Sequence, residues 1–183
     1  MRTLFVPALI VLLYSCQSNR RIFRTDIKPI SKNDTKSFYN TFYNQHSTFL
    51  KFHEHLIDPG YLTILGLLGV PSSSVSDTVS LFLNDGGLLQ INYSDSSINK
   101  TLYLKGKYSR RGFYQYYVER KTFNIPVISL LYSKRNIYRL RFAFSTSGDL
   151  VIQTKYVWEE HVLVLGRFDR YKQVFYYKPK ASM

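Results

Sequence analysis

The sequence predicts a mainly β domain: an antiparallel up-and-down meander forming a barrel or half-barrel, with one short N-terminal helix. Three features point there. Runs of β-branched and aromatic residues recur along the chain. Compact turn signals separate them, at Asn84-Asp85-Gly86-Gly87, Arg110-Arg111-Gly112 and Thr146-Ser147-Gly148-Asp149. No helical periodicity alternates with the strands, so the crossovers that parallel pairing needs are missing. With 183 residues, 45% of them hydrophobic and 16% aromatic, the chain has apolar area for one folded domain.

The elements follow in order. Met1-Arg2 and the uncharged run Leu4 to Leu13 have the form of a secretory signal, too short for the roughly 20 apolar residues that span a bilayer. Leu13-Tyr14-Ser15-Cys16 ends it and contains the chain's one cysteine. Residues 17–34 are polar and basic, and read as a tether. The expected organisation is therefore 1–15 signal peptide, 16–34 Cys16 and tether, and 35–183 folded domain. From Ser37 to Tyr43 the aromatics Phe38, Tyr39, Phe42 and Tyr43 suggest a short first strand. Phe49, Phe52, His53 and Leu56 fall at helical spacing behind Ser47, an N-cap type, and Asp58-Pro59-Gly60 stops that element. Tyr61 to Val70 is apolar without a period.

Strands are then expected at Thr78 to Leu83, Leu88 to Tyr93, Thr101 to Tyr108, Phe113 to Phe123 and, past Pro126, Val127 to Tyr132. Lys134-Arg135-Asn136 reads as a turn. Ile137 to Phe144 alternates most cleanly, with Tyr138, Leu140, Phe142 and Phe144 on one face and Arg139 and Arg141 on the other. Leu150 to Trp158 follows; after Glu159-Glu160, read as a turn, Val162 to Phe168 and Gln173 to Tyr177 close the meander.

Leu13-Tyr14-Ser15-Cys16 resembles the bacterial lipobox. That resemblance implies that Cys16 carries a diacylglycerol thioether and becomes the mature N-terminus, with Gln17 behind it directing the protein to the periplasmic face of the outer membrane. Phe38-Tyr39-Asn40-Thr41-Phe42-Tyr43, Leu104-Lys105-Gly106-Lys107 and Gly148-Asp149-Leu150 resemble segments of the lipocalin-like lipoproteins of Bacteroidota-type bacteria. The resemblance covers most of residues 37 to 178, although Asn40-Thr41-Phe42 stands where true lipocalins have a Gly-x-Trp pair. It implies a lipid-anchored β-barrel and carries no catalytic residues.

The formal charge is +13, and +12 once residues 1–15, with Arg2 as their one charged side chain, are removed. Such a field favours anionic partners; an extracytoplasmic address argues against nucleic acid. No nucleophile elbow, Ser-x-x-Lys, His-Glu-x-x-His or P-loop occurs, so no catalytic residue, cofactor or metal is expected. His53-Glu54-His55, with His46 nearby, has spacing that splits the two imidazoles across a helix. Glu119, Glu159 and Glu160 are acidic, but the last two are neighbours in sequence. Tyr103, Tyr108, Tyr114, Tyr116, Tyr117, Tyr132, Tyr138 and Tyr156 all fall in expected strands, where amphipathic rings suit half-buried faces.

The function expected is a non-catalytic, membrane-anchored binding module for an apolar or anionic ligand. Tyr116, Arg139, Arg141 and Phe142 are its candidate contacts, and Phe82, Leu104 and Leu140 further candidates for the lining of an interior pocket. The alternative is an envelope structural or assembly factor that binds a protein or glycan through an exposed patch, Tyr61 to Val70 being the candidate.

The lipobox gives a direct test. Only a thiol forms the thioether, so Cys16→Ser is expected to lose acylation and persist as an uncleaved or misclipped precursor. Metabolic labelling with a palmitate analogue and intact mass of the membrane fraction read the outcome. Undiminished label in the variant, or a mature chain starting elsewhere than residue 16, would overturn it.

Overall fold

A computed structural model describes residues 26–30, 39–51, 62–71, 75–84, 86–110, 112–124, 132–162 and 165–181. The expectations for Cys16, for His53-Glu54-His55 and for a strand over residues 127–131 lie outside these. The described residues form antiparallel strands with one short helix, arranged as two sheets.

The smaller sheet has the order β2 (Asn40–Tyr43), β4 (Val75–Leu83), β5 (Leu88–Asp95), β6 (Ile98–Lys105). The larger runs β3 (Thr48–Lys51), β11 (Leu165–Tyr177), β10 (Leu150–Val162), β9 (Tyr132–Ser145), β8 (Tyr114–Asn124), β7 (Lys107–Tyr108). β1 (Ile27–Lys28) lies beside β9 at Ser145 and Phe144, beyond the Tyr114–Phe142 pair where β8 begins. Two corners connect the sheets. At one, β6 passes into β7 through Gly106; at the other, the backbone after β11 reaches β2 through Tyr43 N–H to Lys178 O (3.0 Å) and Lys180 N–H to Thr41 O (2.8 Å).

Alternation supplies the core. Val79, Leu81, Leu83, Leu89 and Ile91 from the smaller sheet meet Tyr114, Leu140, Phe142, Ile152, Phe175 and Tyr177 from the larger, all fully buried in one cluster. Gly106 is demanded by this closure, since a Cβ there would lie 2.5 Å from the Tyr114 ring and 2.6 Å from Gln115 O. The hairpin turns use the residues expected of them. Asn84 accepts from Gly87 N–H and, through its side chain, from Leu88 N–H, while Gly112 and Gly148 take positive φ. The β5–β6 turn manages with Ser96 and Ser97, both at positive φ.

Several sequence expectations are corrected. Residues 48–51 are strand β3 rather than helix: the Ser47 N–H and hydroxyl both donate to Tyr176 O, which docks this stretch on the edge of β11. The helix α1 is Ile64–Leu67, with Thr63 as its N-cap accepting from Gly66 N–H at 2.9 Å. Asn44 completes the cap, its backbone and side-chain oxygens accepting from the Ile64 and Leu65 N–H groups. Ile64, Leu65 and Leu67 are fully buried, so this part of the candidate partner patch is core. Lys134-Arg135-Asn136 and Glu159-Glu160 continue the strands β9 and β10, paired across the ladder as Lys134 with Glu160 and Arg135 with Glu159. Ile30, assigned to the tether, is buried and donates its N–H to Gly112 O at 2.8 Å, so the fold begins earlier than residue 35.

Tyrosine hydroxyls pin the layers together. Tyr114 on β8 donates toward Leu104 O (2.6 Å) and Gly87 O (2.9 Å), Tyr138 to Leu67 O (3.1 Å) and Tyr177 to Leu62 O (3.0 Å). Burial pushes the Tyr114 hydroxyl up to about 12 and that of Tyr177 well above its ordinary value. Both hold their protons to higher pH in the fold than in the unfolded chain, so their contributions are complete below pH 10 and are lost as the pH rises above it, that of Tyr114 by about 12. Chemical unfolding followed across that window is expected to show falling stability. Tyr114→Phe is expected to cost about 1–3 kcal/mol at neutral pH by stranding buried carbonyls, and to flatten the alkaline loss. An equally steep loss in the variant would assign it to other groups.

Candidate functional site

β8 to β11 are 11, 14, 13 and 13 residues long, whereas the strands of the smaller sheet have 4 to 9. The larger sheet therefore extends past its cover. Register assigns its residues to two faces with opposite chemistry.

The inner face carries the core and then, beyond it, Tyr138, Tyr156 and Tyr171 in one cross-strand row, with Tyr156 and Tyr171 stacked at 5.0 Å. The outer face is cationic. Tyr117, Arg139, Lys155 and Lys172 occupy one row across β8, β9, β10 and β11, and Gln115, Arg141, Gln153 and Val174 the row beside it toward the core. Neither row contains a carboxylate. Away from the core, Arg120 and Arg170 flank Ile137 and Val157, and Arg135 follows. Glu159 is the acidic side chain on this stretch, held by Arg135 and Arg170. A bulge between Tyr117 and Glu119 turns Arg120 to this side, where its guanidinium lies 5.3 Å from the Tyr117 ring.

The electrostatics of the row follow from this placement. Burial, and then Arg139, Arg135, Arg170 and Arg141, hold the Lys155 ammonium below its ordinary pKa. Lys172 is lowered in the same direction by burial and by Arg141, Lys155 and Arg139. Arg139 Nε is buried without a hydrogen-bond partner among the described residues. Arg141 is differently provided for: Nε donates to Gln115 Oε1 at 3.2 Å, a terminal nitrogen to Gln153 Oε1 at 3.4 Å, and the group sits 5.6 Å from the Phe113 ring. Beside the row, Arg120, Thr122, Ser133, Arg135, Ile137 and Glu159 line a surface groove of about 380 Å³.

The four candidate contacts divide between the faces. Arg139 and Arg141 belong to the cationic face. Phe142 is fully buried and Tyr116, opposite Leu140, packs against the core. Leu104 and Leu140 are core residues too, while Phe82 is 38% exposed and meets Tyr39 on the outer side of the smaller sheet. Glu159 and Glu160 point to opposite faces of β10, Glu160 toward Lys134 and Tyr132, and Glu119 pairs with Lys121 on β8. No catalytic pair of carboxylates converges among them. His46 lies edge-on to Phe175, and no group of three potential metal ligands occurs among the described residues. On the smaller sheet a groove is lined mainly by Ser, Thr, Asn and Gln side chains, with Tyr93 and Lys100, and polar groups there bond among themselves, as in Thr41 to Ser80 and Thr101 to Asn92.

Lys155 and Lys172 escaped the sequence reading because only register brings them beside Arg139. Their signal was local: each is the cation between inward residues, Lys155 between Thr154 and Tyr156, Lys172 between Tyr171 and Gln173. Compared with known proteins, the chain matches no family model, no curated protein and no solved structure.

Like charges directly opposite on a sheet cost about 0.2–1 kcal/mol. Lys155→Gln is therefore expected to raise the thermal midpoint at neutral pH and low salt. Added salt should stabilise the parent more than the variant by screening the same repulsion. A lowered midpoint would mean that Lys155 is held by a compensating partner.

Proposed function

We propose that this protein is a non-catalytic binding module that takes an anionic ligand on the outer face of its larger sheet and is held at the cell envelope by lipid on Cys16. The observation that carries the ligand class is the row Arg139–Lys155–Lys172, where cations stand opposite one another across three strands and Arg139 Nε has no hydrogen-bond partner among the described residues. An anion between these groups relieves their mutual repulsion and supplies the missing acceptor. An apolar ligand is less well served, because Leu104, Leu140 and Phe142, candidates for lining a pocket, are 3%, 0% and 0% exposed within the packed core.

The lipocalin-like reading of the fold and the anchor belong to the same proposal. In its favour are the sequential antiparallel neighbours from β8 to β11 and the two corners that link the sheets. The anchor rests on the lipobox-like Leu13-Tyr14-Ser15-Cys16.

Inositol hexakisphosphate is a suitable polyanionic probe, with uncharged inositol as control. Calorimetric titration of the full chain is expected to give saturable, salt-dependent binding of the phosphate ester and none of inositol. At about 1 kcal/mol per cation, Arg139→Gln with Lys155→Gln should weaken it ~10–30-fold. Absent binding by the parent, or equal affinity in a variant with an unaltered far-ultraviolet spectrum, would refute the proposal.

A further inference from the structure

At the far end of the larger sheet, apolar side chains face solvent together. Leu165 is 78% exposed, Phe168 62%, Phe123 56% and Val162 53%. Single exposed apolar residues are ordinary, but a cluster at one end of a fold marks a contact surface. Register places Phe123, Tyr132, Val162 and Leu165 on the inner face and Phe168 on the outer, so the apolar character wraps around the sheet end. Phe123 and Tyr132 meet at 5.9 Å. The segments joining these strands, residues 125–131 and 163–164, contain no charged residue in the sequence.

Cations stand level with and behind this apolar end: Lys134 and Arg167 share the inner row of Phe123, two residues behind Val162 and Leu165, and Arg135 shares the outer row of Phe168 with Arg170 behind it. Lys134 and Arg167 lie on the inner side, Arg135 and Arg170 on the outer, with Arg167 5.6 Å from the Trp158 ring and Arg170 5.6 Å from Phe168. From Tyr132 to Ile137 and their partners on β8, β10 and β11, six cations (Arg120, Lys121, Lys134, Arg135, Arg167, Arg170) face three carboxylates (Glu159, Glu160, Asp169). Lys134 follows Tyr132 by two residues, about 7 Å along a strand. That matches the depth of about 5–10 Å to which interfacial apolar groups sink before the phosphates are reached. A protein partner seated on one face would leave the other side of the end in water. A bilayer surrounds both.

We propose that this end of the larger sheet is a membrane-docking tip: Phe123, Val162, Leu165 and Phe168 enter the boundary between headgroups and acyl chains of an anionic bilayer, and Lys134, Arg135, Arg167 and Arg170 meet its phosphates. The tip is separate from the N-terminal attachment. β1 pairs with Ser145, the end of β9 remote from Tyr132, roughly 44 Å away along the strand.

A single indole at the tip reports the contact. Leu165→Trp, made with Trp158→Phe so that the one native tryptophan is removed, changes an exposed position. The full chain carrying both is mixed with vesicles brominated near the headgroup end of the acyl chains, of phosphatidylcholine alone or with phosphatidylglycerol. The larger part of the emission is expected to be quenched and blue-shifted on the anionic vesicles, less on the neutral ones and less at high salt. Adding Phe123→Asp and Phe168→Asp should abolish quenching at an unchanged thermal midpoint; Phe123→Ser with Phe168→Ser serves if the charged pair disturbs folding. The N-terminal apolar run can still sediment the protein with lipid, but it cannot quench residue 165. Unquenched emission from vesicle-bound protein, or quenching unaltered by the paired substitutions, would overturn the tip. So would a blue shift without lipid that tracks self-association in light scattering, which would assign the end to a second copy of the chain.

Discussion

Three inward tyrosines hold the structure in its arrangement. Tyr114 and Tyr177 project from β8 and β11 into an apolar interior and Tyr138 from β9 at its edge, where a hydroxyl is costly unless it finds an acceptor. Each finds a backbone carbonyl on the opposite side: Leu104 and Gly87 in the smaller sheet, Leu67 at the end of α1, and Leu62 just before it. A hydrophobic contact fixes how deep two layers sit and says little about their lateral position. A hydroxyl bonded to one carbonyl fixes both. Gly106 belongs to the same constraint, because Tyr114 reaches Leu104 O only where the backbone at the β6–β7 corner carries no Cβ.

With the layers fixed in this way, the unequal lengths of the strands become consequential. The smaller sheet and α1 cover the larger sheet as far as Leu140, Thr154 and Gln173; Tyr138, opposite Tyr156, touches the edge of the cover through Leu67 O. Beyond that line, among the described residues, β8 to β11 have no second sheet, and their ladder is held by cross-strand pairs. The stack of Tyr156 on Tyr171 and the ion pairs of Glu159 and Glu160 with Arg135, Arg170 and Lys134 are those pairs. The ion pairs that hold this segment as a ladder thus adjoin the row Arg139–Lys155–Lys172, which has no carboxylate of its own.

Much of the β architecture was legible because turn chemistry is local. Asn84, Gly112 and Gly148 marked hairpins that occur as expected. Charge was misleading where it substituted for turn signals: Lys134-Arg135-Asn136 and Glu159-Glu160 are polar because both faces of the sheet are wet there, and they complement each other across β9 and β10. The short helix was misplaced for a related reason. A few apolar residues at spacing three or four satisfy a helix and an edge strand alike, and the choice at residues 48–51 lies with β11, more than a hundred positions away. Half of the cationic face was readable in the alternation of Arg139 and Arg141. The other half, Lys155 and Lys172, required a register that no single strand contains.

The cations of that face are unequal in what they can give an anion. Arg141 spends its directional donors on Gln115 and Gln153 and lays its plane near Phe113, so an incoming anion would compete with bonds already made. Arg170 and Arg135 share Glu159, a carboxylate that occupies the position an anion would take. Arg139 has a buried Nε without an acceptor and stands directly opposite Lys155, whose charge is opposed by burial and by the surrounding guanidinium groups. A new negative charge gains most where positive charge is least compensated and already partly desolvated. By that criterion the centre of the proposed anion site is the Arg139–Lys155 pair, with Arg141 shaping the field from the next row and the Glu159 ion pairs marking its boundary toward the sheet end.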